Sequence, residues 1–486
     1  MNGKKGIPKK YLILLTVVIS VGILLAFTLA IYLSSSGKTI VRMEVTYFIL
    51  TLLLVLPFLL ITLLALLWFG RKEVHIEGGD PLQGIELPKD FQLPALTASS
   101  TISASAIPVA VGKGVAVKGV DEEEGDDRSR FYMLCEIDAN RAKFQKTTYD
   151  ESITLKRFCE EFRNFACNRL KLYYSIDDIR RFIAGLSVTK ILILQGMSGT
   201  GKTSLAYAFG EFLENKSTVV PVQPMWKERT DLVGYYNEFT KRFNETTLLQ
   251  KMYEANYSKD IYITILDEMN IARVEYYFAE FLSLLELPNP DRRYLDVVSD
   301  EWETDPVQLK GGQIKLPNNM WFIGTANNDD STFAISDKVY DRAMVMNLDT
   351  KSEPFVAPKT YPVHITAERF MKLTEEALEE YAITNRNMRR LERLDEYMIK
   401  VFHITFGNRI MKQIKTYIPV YVACGGEELE ALDDILSKKV LRKLETQNPV
   451  YIRSVVDGFC DYLDELFGRD KMKLCKEYVQ RLKKNA

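Results

Sequence analysis

A parallel-sheet α/β domain with a helical lid, preceded by a two-helix transmembrane hairpin and a flexible linker, is the architecture that this sequence of 486 residues predicts. Three features carry that expectation. The chain opens with two long uncharged runs, and a stretch rich in Gly, Pro, Ser, Ala and Thr follows them. Further on, three short apolar runs end in a Gly-Lys-Thr loop, a pair of carboxylates and an asparagine. With 47% apolar and 26% charged residues the composition is that of an ordinary folded protein, with room for two or three domains.

Residues 11–33, YLILLTVVISVGILLAFTLAIYL, and 46–69, TYFILTLLLVLPFLLITLLALLWF, carry no charge, and each is long enough to cross a bilayer of roughly 30 Å as a helix. The first run exceeds the apolar stretch of about 7–15 residues found in a cleaved signal peptide. Lys4, Lys5, Lys9 and Lys10 precede the first span and Arg71 and Lys72 follow the second, whereas the loop between holds Lys38 and Arg42 against Glu44. Positive flanks favour the cytoplasmic side, so the reading is a multi-pass cell-membrane protein with both ends in the cytoplasm and the lipid bilayer as a partner. Pro57 marks a kink in the second span, and Tyr11, Tyr32, Tyr47 and Trp68 suit the interfaces. Residues 73–128, closing on the acidic run DEEEGDD at 121–127, read as a mobile tether. The expected organisation is a hairpin over 1–72, a linker over 73–128, an α/β domain over 129–350 and a helical lid and extension over 351–486.

A formal net charge of -2 supplies no general electrostatic surface for nucleic acid. Six cysteines without a CxxC pair and three widely spaced histidines (75, 364 and 403) make neither a zinc site nor a disulfide framework, so reduced, packed thiols are expected.

The α/β domain is read from its strand ends. ILIL at 191–194 suits a buried parallel strand, and the loop after it fits GxxxxGK[ST] through Gly196, Gly201, Lys202 and Thr203. Leu205, Phe209, Phe212 and Leu213 then form a helical stripe. Glycines let backbone N–H groups close on phosphates, Lys202 adds a point charge, and the Thr203 hydroxyl suits Mg²⁺. The whole loop, Gly196, Ser198, Gly199, Thr200, Gly201, Lys202, Thr203 and Ser204, is the candidate nucleotide cradle. IYITILDE at 261–268 ends in Asp267, a candidate metal orienter, and Glu268, a candidate activator of water. MWFIGTAN at 320–327 ends in Asn327, whose amide suits a γ-phosphate or an attacking water, though asparagine at a strand end is also an ordinary turn residue. SDKVYDRA at 336–343 places Arg342 where it could reach a neighbouring subunit's phosphates, with a local pair to Asp341 as the competing explanation.

At these residues the sequence resembles the AAA+ ATPases, and within them the McrB-like and dynein-related branch that includes MoxR-type proteins. The resemblance runs over about residues 150–445 through QGMSGTGKTS, PMWKERTDLVGYYNEF, LDEMNIARVEYYFAEFLSLLE, GTANNDDSTFAISDKVYDRA, FGNRIMKQIKTYI and LSKKVLRKLE. It implies that Lys202 and Thr203 are Walker A residues, Asp267 and Glu268 Walker B, Asn327 sensor 1, Arg342 an arginine finger and Arg409 sensor 2 in the lid, with Arg386, Arg389 and Arg390 as competitors for the last role. It implies a β-hairpin insertion over 292–319, ATP and Mg²⁺ as substrate and cofactor, and a homo-oligomeric ring, with a hexamer as the candidate size, acting on an unidentified protein partner. Ser331 stands where the McrB-type signature has an arginine, so that arginine's roles do not transfer. McrB itself prefers GTP; no NKxD-type base signal is present here, which favours ATP. A GTP-hydrolysing motor, or a slow nucleotide-dependent switch that recruits an effector in a defence system, are the alternatives.

Overall fold

A computed structural model describes residues 129–146, 148–327, 332–349 and 351–485; both apolar runs, the linker and residues 328–331 lie outside them. Among the described residues no helix is long and apolar enough to cross a membrane. All of them fall in one compact unit.

The three apolar runs become the middle of a five-stranded sheet. β1 (Ile191–Gly196), β2 (Thr218–Pro221), β5 (Tyr262–Asp267), β8 (Met320–Asn327) and β9 (Met344–Asn347) lie in the order β2-β5-β8-β1-β9, all parallel. Burial on both faces explains why these strands read as continuous apolar runs instead of alternating ones. Register aligns the strand ends: Gly196 pairs with Asn327 across β1 and β8, and Leu266 with Gly324 across β5 and β8.

Alternate side chains of each strand point to opposite faces. Leu192, Leu194, Ile263, Ile265, Trp321 and Ile323 face one core, with α2 (Leu155–Leu170), α3 (Ile176–Val188) and α4 (Lys202–Phe212). Phe158, Phe162, Phe182, Phe209 and Phe212 interlock there at ring separations of 5.2–6.0 Å. Ile191, Ile193, Leu266, Met320 and Phe322 face the second core, with α1 (Met133–Ala139), α5 (Arg229–Val233), α6 (Thr247–Ala255), α7 (Val274–Tyr277), α8 (Ala279–Glu286) and α9 (Asp337–Arg342). Helix starts follow the sequence: Thr154, Ser175 and Thr246 each accept a backbone N–H in the first turn of α2, α3 and α6.

Residues 351–365 carry neither helix nor strand, against the helical region expected from 351, and from Ala367 the chain is helical: α10 (Ala367–Glu380), α11 (Asn385–Phe402), α12 (Gly407–Ala423), α13 (Glu428–Lys439), α14 (Pro449–Phe467) and α15 (Lys473–Asn485). These helices share the first core. α12 lies against α3, where Arg180 Nε donates to Cys424 O (3.3 Å). The basic tail is packed: Cys475 and Val479 are buried, Lys476 pairs with Asp464 and Lys483 with Asp457 (2.7 Å each), and Asp433 accepts the first-turn amides of Leu474 and Cys475. All six cysteines are free thiols, four of them buried.

Two antiparallel hairpins project from the sheet. β3 (Tyr236–Asn237) with β4 (Arg242–Phe243) carries Phe239, fully exposed, in its turn. β6 (Tyr294–Asp296) with β7 (Gln313–Lys315) is the insertion expected over 292–319. The arm between β6 and β7 is held by Arg130, which bonds Asp305 through Nε (2.9 Å) and Nη2 (2.8 Å) and lies 4.3 Å from the Trp302 ring centroid. The Arg130 and Asp305 side chains are both only 2% exposed. Removing Asp305 takes two bonds from the buried guanidinium and leaves it the longer pair with Asp300 (3.4 Å) and the Asp300 carbonyl, so Asp305→Ala should lower stability by about 3 kcal/mol, the low end for a broken buried pair. A denaturation midpoint unchanged from that of the parent would show that the pair does not hold the arm.

Candidate nucleotide site

The loop between β1 and α4 is shaped by its glycines. Gly196 has φ 143°, and a Cβ there would sit 2.3 Å from Leu348 O; Gly201, the N-cap of α4, has φ 94°. Side chains are disfavoured at both positions, and at Gly196 the neighbouring backbone also leaves no room. Ser198 and Gly199 are exposed, Ser204 is half-buried, and Thr200 donates to Met197 O (3.0 Å). Tyr174 OH donates to Gly201 O (2.9 Å), and burial pushes this phenol well above its usual range, which keeps it a donor. Lys202, 6% exposed, donates from Nζ to Gly196 O (2.9 Å) and Met197 O (2.7 Å). The ammonium is thus held inside the loop, beside the N-terminal end of an 11-residue helix, the arrangement that suits a polyphosphate.

Across the loop stand the ends of β5 and β8. Thr203 Oγ1 and Thr325 Oγ1 both donate to Asp267 Oδ1, each at 2.8 Å. Thr325 Oγ1 in turn accepts the amide of Glu268 (2.9 Å). Glu268 is left-handed (φ 53°, ψ 47°), which turns the chain sharply at the strand end and leaves this residue exposed. Asn327 is half-buried, and its carbonyl accepts from Asn270 Nδ2 (2.9 Å), which braces the end of β8. Among the described residues no cluster of three or more His, Cys, Asp or Glu side chains is placed to hold a metal ion. The Thr203 and Asp267 oxygens do fit Mg²⁺, which needs one or two protein oxygens when phosphates and waters complete its shell.

The 196–204 loop, Asp267, Glu268 and Asn327 therefore come together at the C-terminal edge of the sheet. Arg342 and Arg409 do not. Arg342 ends α9 just before β9, and Met344 of that strand pairs with Leu192 near the start of β1, so roughly 15 Å of strand separates it from the loop. Arg409 opens α12 on the same side. Both bond the Glu286 carboxylate, Arg342 Nη2 to Oε2 (2.9 Å) and Arg409 Nη2 to Oε1 (2.5 Å). They line a cavity of about 810 Å³ with Lys190, Arg293 and Lys412. A lid arginine aimed at its own nucleotide was the expectation for Arg409; here it stands beside the finger candidate. Arg389 bonds Asn385 O within α11, and Arg390 bonds Asn387 Oδ1 and lies 5.6 Å from the Phe467 ring centroid at the end of α14. The rival pair of Arg342 with Asp341 gives way to the one with Glu286.

Sequence reasoning missed the cations that do face the C-terminal edge. A cavity of about 540 Å³ joins Asn327, Gln195 and Asn347 to Lys438, Arg442 and Arg481. Two of these lie in LSKKVLRKLE, a segment already conspicuous by its charge.

Comparison with known proteins agrees with this geometry. The family profile of an AAA domain of the dynein-related subfamily matches residues 191–343, and that of a domain of unknown function, DUF8727, matches residues 357–486. Among curated proteins none matches the chain. Similar solved structures include an ATPase candidate from Cytophaga hutchinsonii, at 12% identity and TM-score 0.38, over 63% of this chain and 85% of that one. A full-length MCM homolog from Methanopyrus kandleri follows at 11% identity and TM-score 0.34, over 59% of this chain and 60% of that one. Both likenesses are too distant to bear on activity. Residues 191–343, which hold the loop, the strand ends and Arg342, are thus the part of the chain that resembles a dynein-related AAA domain.

Proposed function

We propose that the chain is a membrane-tethered AAA+ ATPase that hydrolyses ATP in a homo-oligomeric ring and uses the cycle to remodel a protein partner. The observation that carries the chemistry is the shared oxygen Asp267 Oδ1, which ties Thr203 of the loop to the strand ends with Glu268 exposed beside them. Backbone amides of residues 198–203 and Lys202 would cradle the phosphates, and Thr203 and Asp267 would hold Mg²⁺. Mg²⁺, when bound, supplies charge neutralisation at the β- and γ-phosphates. Glu268 takes a proton from the attacking water, and the Asn327 amide orients that water. Lys202→Ala should abolish nucleotide binding. Glu268→Gln should keep binding and reduce turnover by about 10²–10⁴-fold, because the metal oxygens survive while the base is lost. Undiminished hydrolysis by the Gln variant would move the base elsewhere.

Ring assembly is supported by the separation of Arg342 from its own loop. A permanently charged, planar donor at the far edge can serve a neighbour's γ-phosphate and not its own. Such fingers contribute about 10³–10⁵ in rate, so Arg342→Ala should lower turnover far more than nucleotide affinity. Mixed with Lys202→Ala chains, it should regain activity at interfaces that combine an intact loop with an intact finger. Mixed oligomers that remain inactive would return Arg342 to a structural ion pair with Glu286.

The tether is supported by the two uncharged runs and their basic flanks. A membrane-impermeant thiol reagent on intact cells should label a cysteine introduced at position 37 and spare one at position 100. Equal labelling of both would reject the hairpin.

A further inference from the structure

The C-terminal helices converge on the short helix that carries Arg342. The last carbonyls of any helix lack partners within it and must be satisfied from outside. In α9 they are satisfied from the segment that matches the domain of unknown function. Lys439, at the end of α13 and 5% exposed, donates from Nζ to Tyr340 O (2.6 Å) and Ala343 O (2.5 Å). Gln413 of α12 donates from Nε2 to Asp341 O (3.1 Å). The Arg442 guanidinium lies over the Tyr340 ring, 3.0 Å from its centroid. The Tyr340 hydroxyl is bonded to Gln195 Nε2, from the residue immediately before Gly196. The main chain on both sides of Arg342 is therefore gripped by one element, and the neighbouring tyrosine ties it to the strand that leads into the nucleotide loop.

Burial pushes the Lys439 ammonium down to about 7, with Arg409, Arg442 and Lys443 adding to the effect and Asp341 opposing it. Protonated or neutral, the nitrogen keeps at least two hydrogens for its two carbonyls, so the grip does not depend on titration. A rival account is that Lys439 merely stabilises the fold, since its loss leaves two buried carbonyls unsatisfied. The two accounts differ in what else changes, because a transferred arginine acts through its position and a 1 Å error can cost about 10² in rate.

We propose that the helical segment 357–486 positions Arg342 for the neighbouring subunit, with Lys439 and Gln413 as positioning residues. The inference rests on the reading of Arg342 as a finger. In the full chain, Lys439→Met should lower kcat for ATP hydrolysis by about 10–100-fold while leaving nucleotide affinity unchanged. Combined with Arg342→Ala it should add no further loss. Mixed with Lys202→Ala chains, whose fingers are intact, it should regain activity; mixed with Arg342→Ala chains it should not. Lys439→Arg, which keeps the donors, should restore part of the rate. Should the Met variant fail to fold, Gln413→Leu decides: it removes one bond together with the Oε1 acceptor, which has no hydrogen-bond partner among the described residues, and should lower kcat in the same non-additive way. Losses that add to those of Arg342→Ala, or unchanged kcat in both variants, would overturn the proposal. Full activity of Arg342→Ala alone would overturn the finger reading, and the positioning role with it.

Discussion

One carboxylate oxygen organises the nucleotide edge of the sheet. Asp267 Oδ1 accepts from Thr203 at the start of α4 and from Thr325 on β8, while the same Thr325 oxygen receives the Glu268 amide. Three segments distant in sequence are thereby fixed relative to one another by hydrogen bonds to a charged acceptor, which are stronger than neutral ones. The parallel sheet is what allows it. Adjacent strands running the same way end side by side, so residues that each close an apolar run meet at one edge. Gly196 opposite Asn327, and Leu266 opposite Gly324, are that arrangement in register.

The same directionality separates the other half of the proposed chemistry. A residue that precedes a strand lies at the opposite edge from one that follows it. Arg342 precedes β9 and the loop follows β1, so no local motion of the Arg342 side chain spans the sheet that lies between them. On the proposed reading a second copy completes the site, and the cavity that holds Arg342 and Arg409 is also lined by Arg293 and Lys412.

Strand ends were legible in the sequence because each is an apolar run stopped by a chemically unusual group; ILIL, IYITILDE and MWFIGTAN became β1, β5 and β8. The β6–β7 hairpin and the helical character of the C-terminal third were legible for similar reasons of pattern. What could not be read was side-chain direction across the fold. α9 is only six residues long and carries Arg342 as its last residue, and nothing in SDKVYDRA says which edge of the sheet that end occupies. Arg409 looked like a lid arginine turned toward its own nucleotide, and only the packing of α12 against α3 puts it at the far edge. Lys439 is one lysine among several in LSKKVLRKLE, and nothing in that string says that it alone is buried against carbonyls about a hundred residues away in sequence. Such contacts depend on three-dimensional closure, not on periodicity.

The forces on Arg342 divide in a way that suits the proposed finger, which would leave one partner for another. Its ion pair is to Glu286, and the two side chains are 27% and 29% exposed; Arg409, the second partner of that carboxylate, is 51% exposed. Pairs this accessible to water contribute on the order of 0–1 kcal/mol, little enough to be exchanged for a triphosphate. A helix of six residues would not by itself hold its last residue in place. Its main chain is instead held by buried donors, Lys439 and Gln413, whose loss would expose the full cost of unsatisfied carbonyls. Backbone position is thus set by strong, desolvated contacts and the guanidinium by weak, exposed ones. On the proposed reading the tip of the side chain is the part free to change partners, while the main chain beneath it stays anchored.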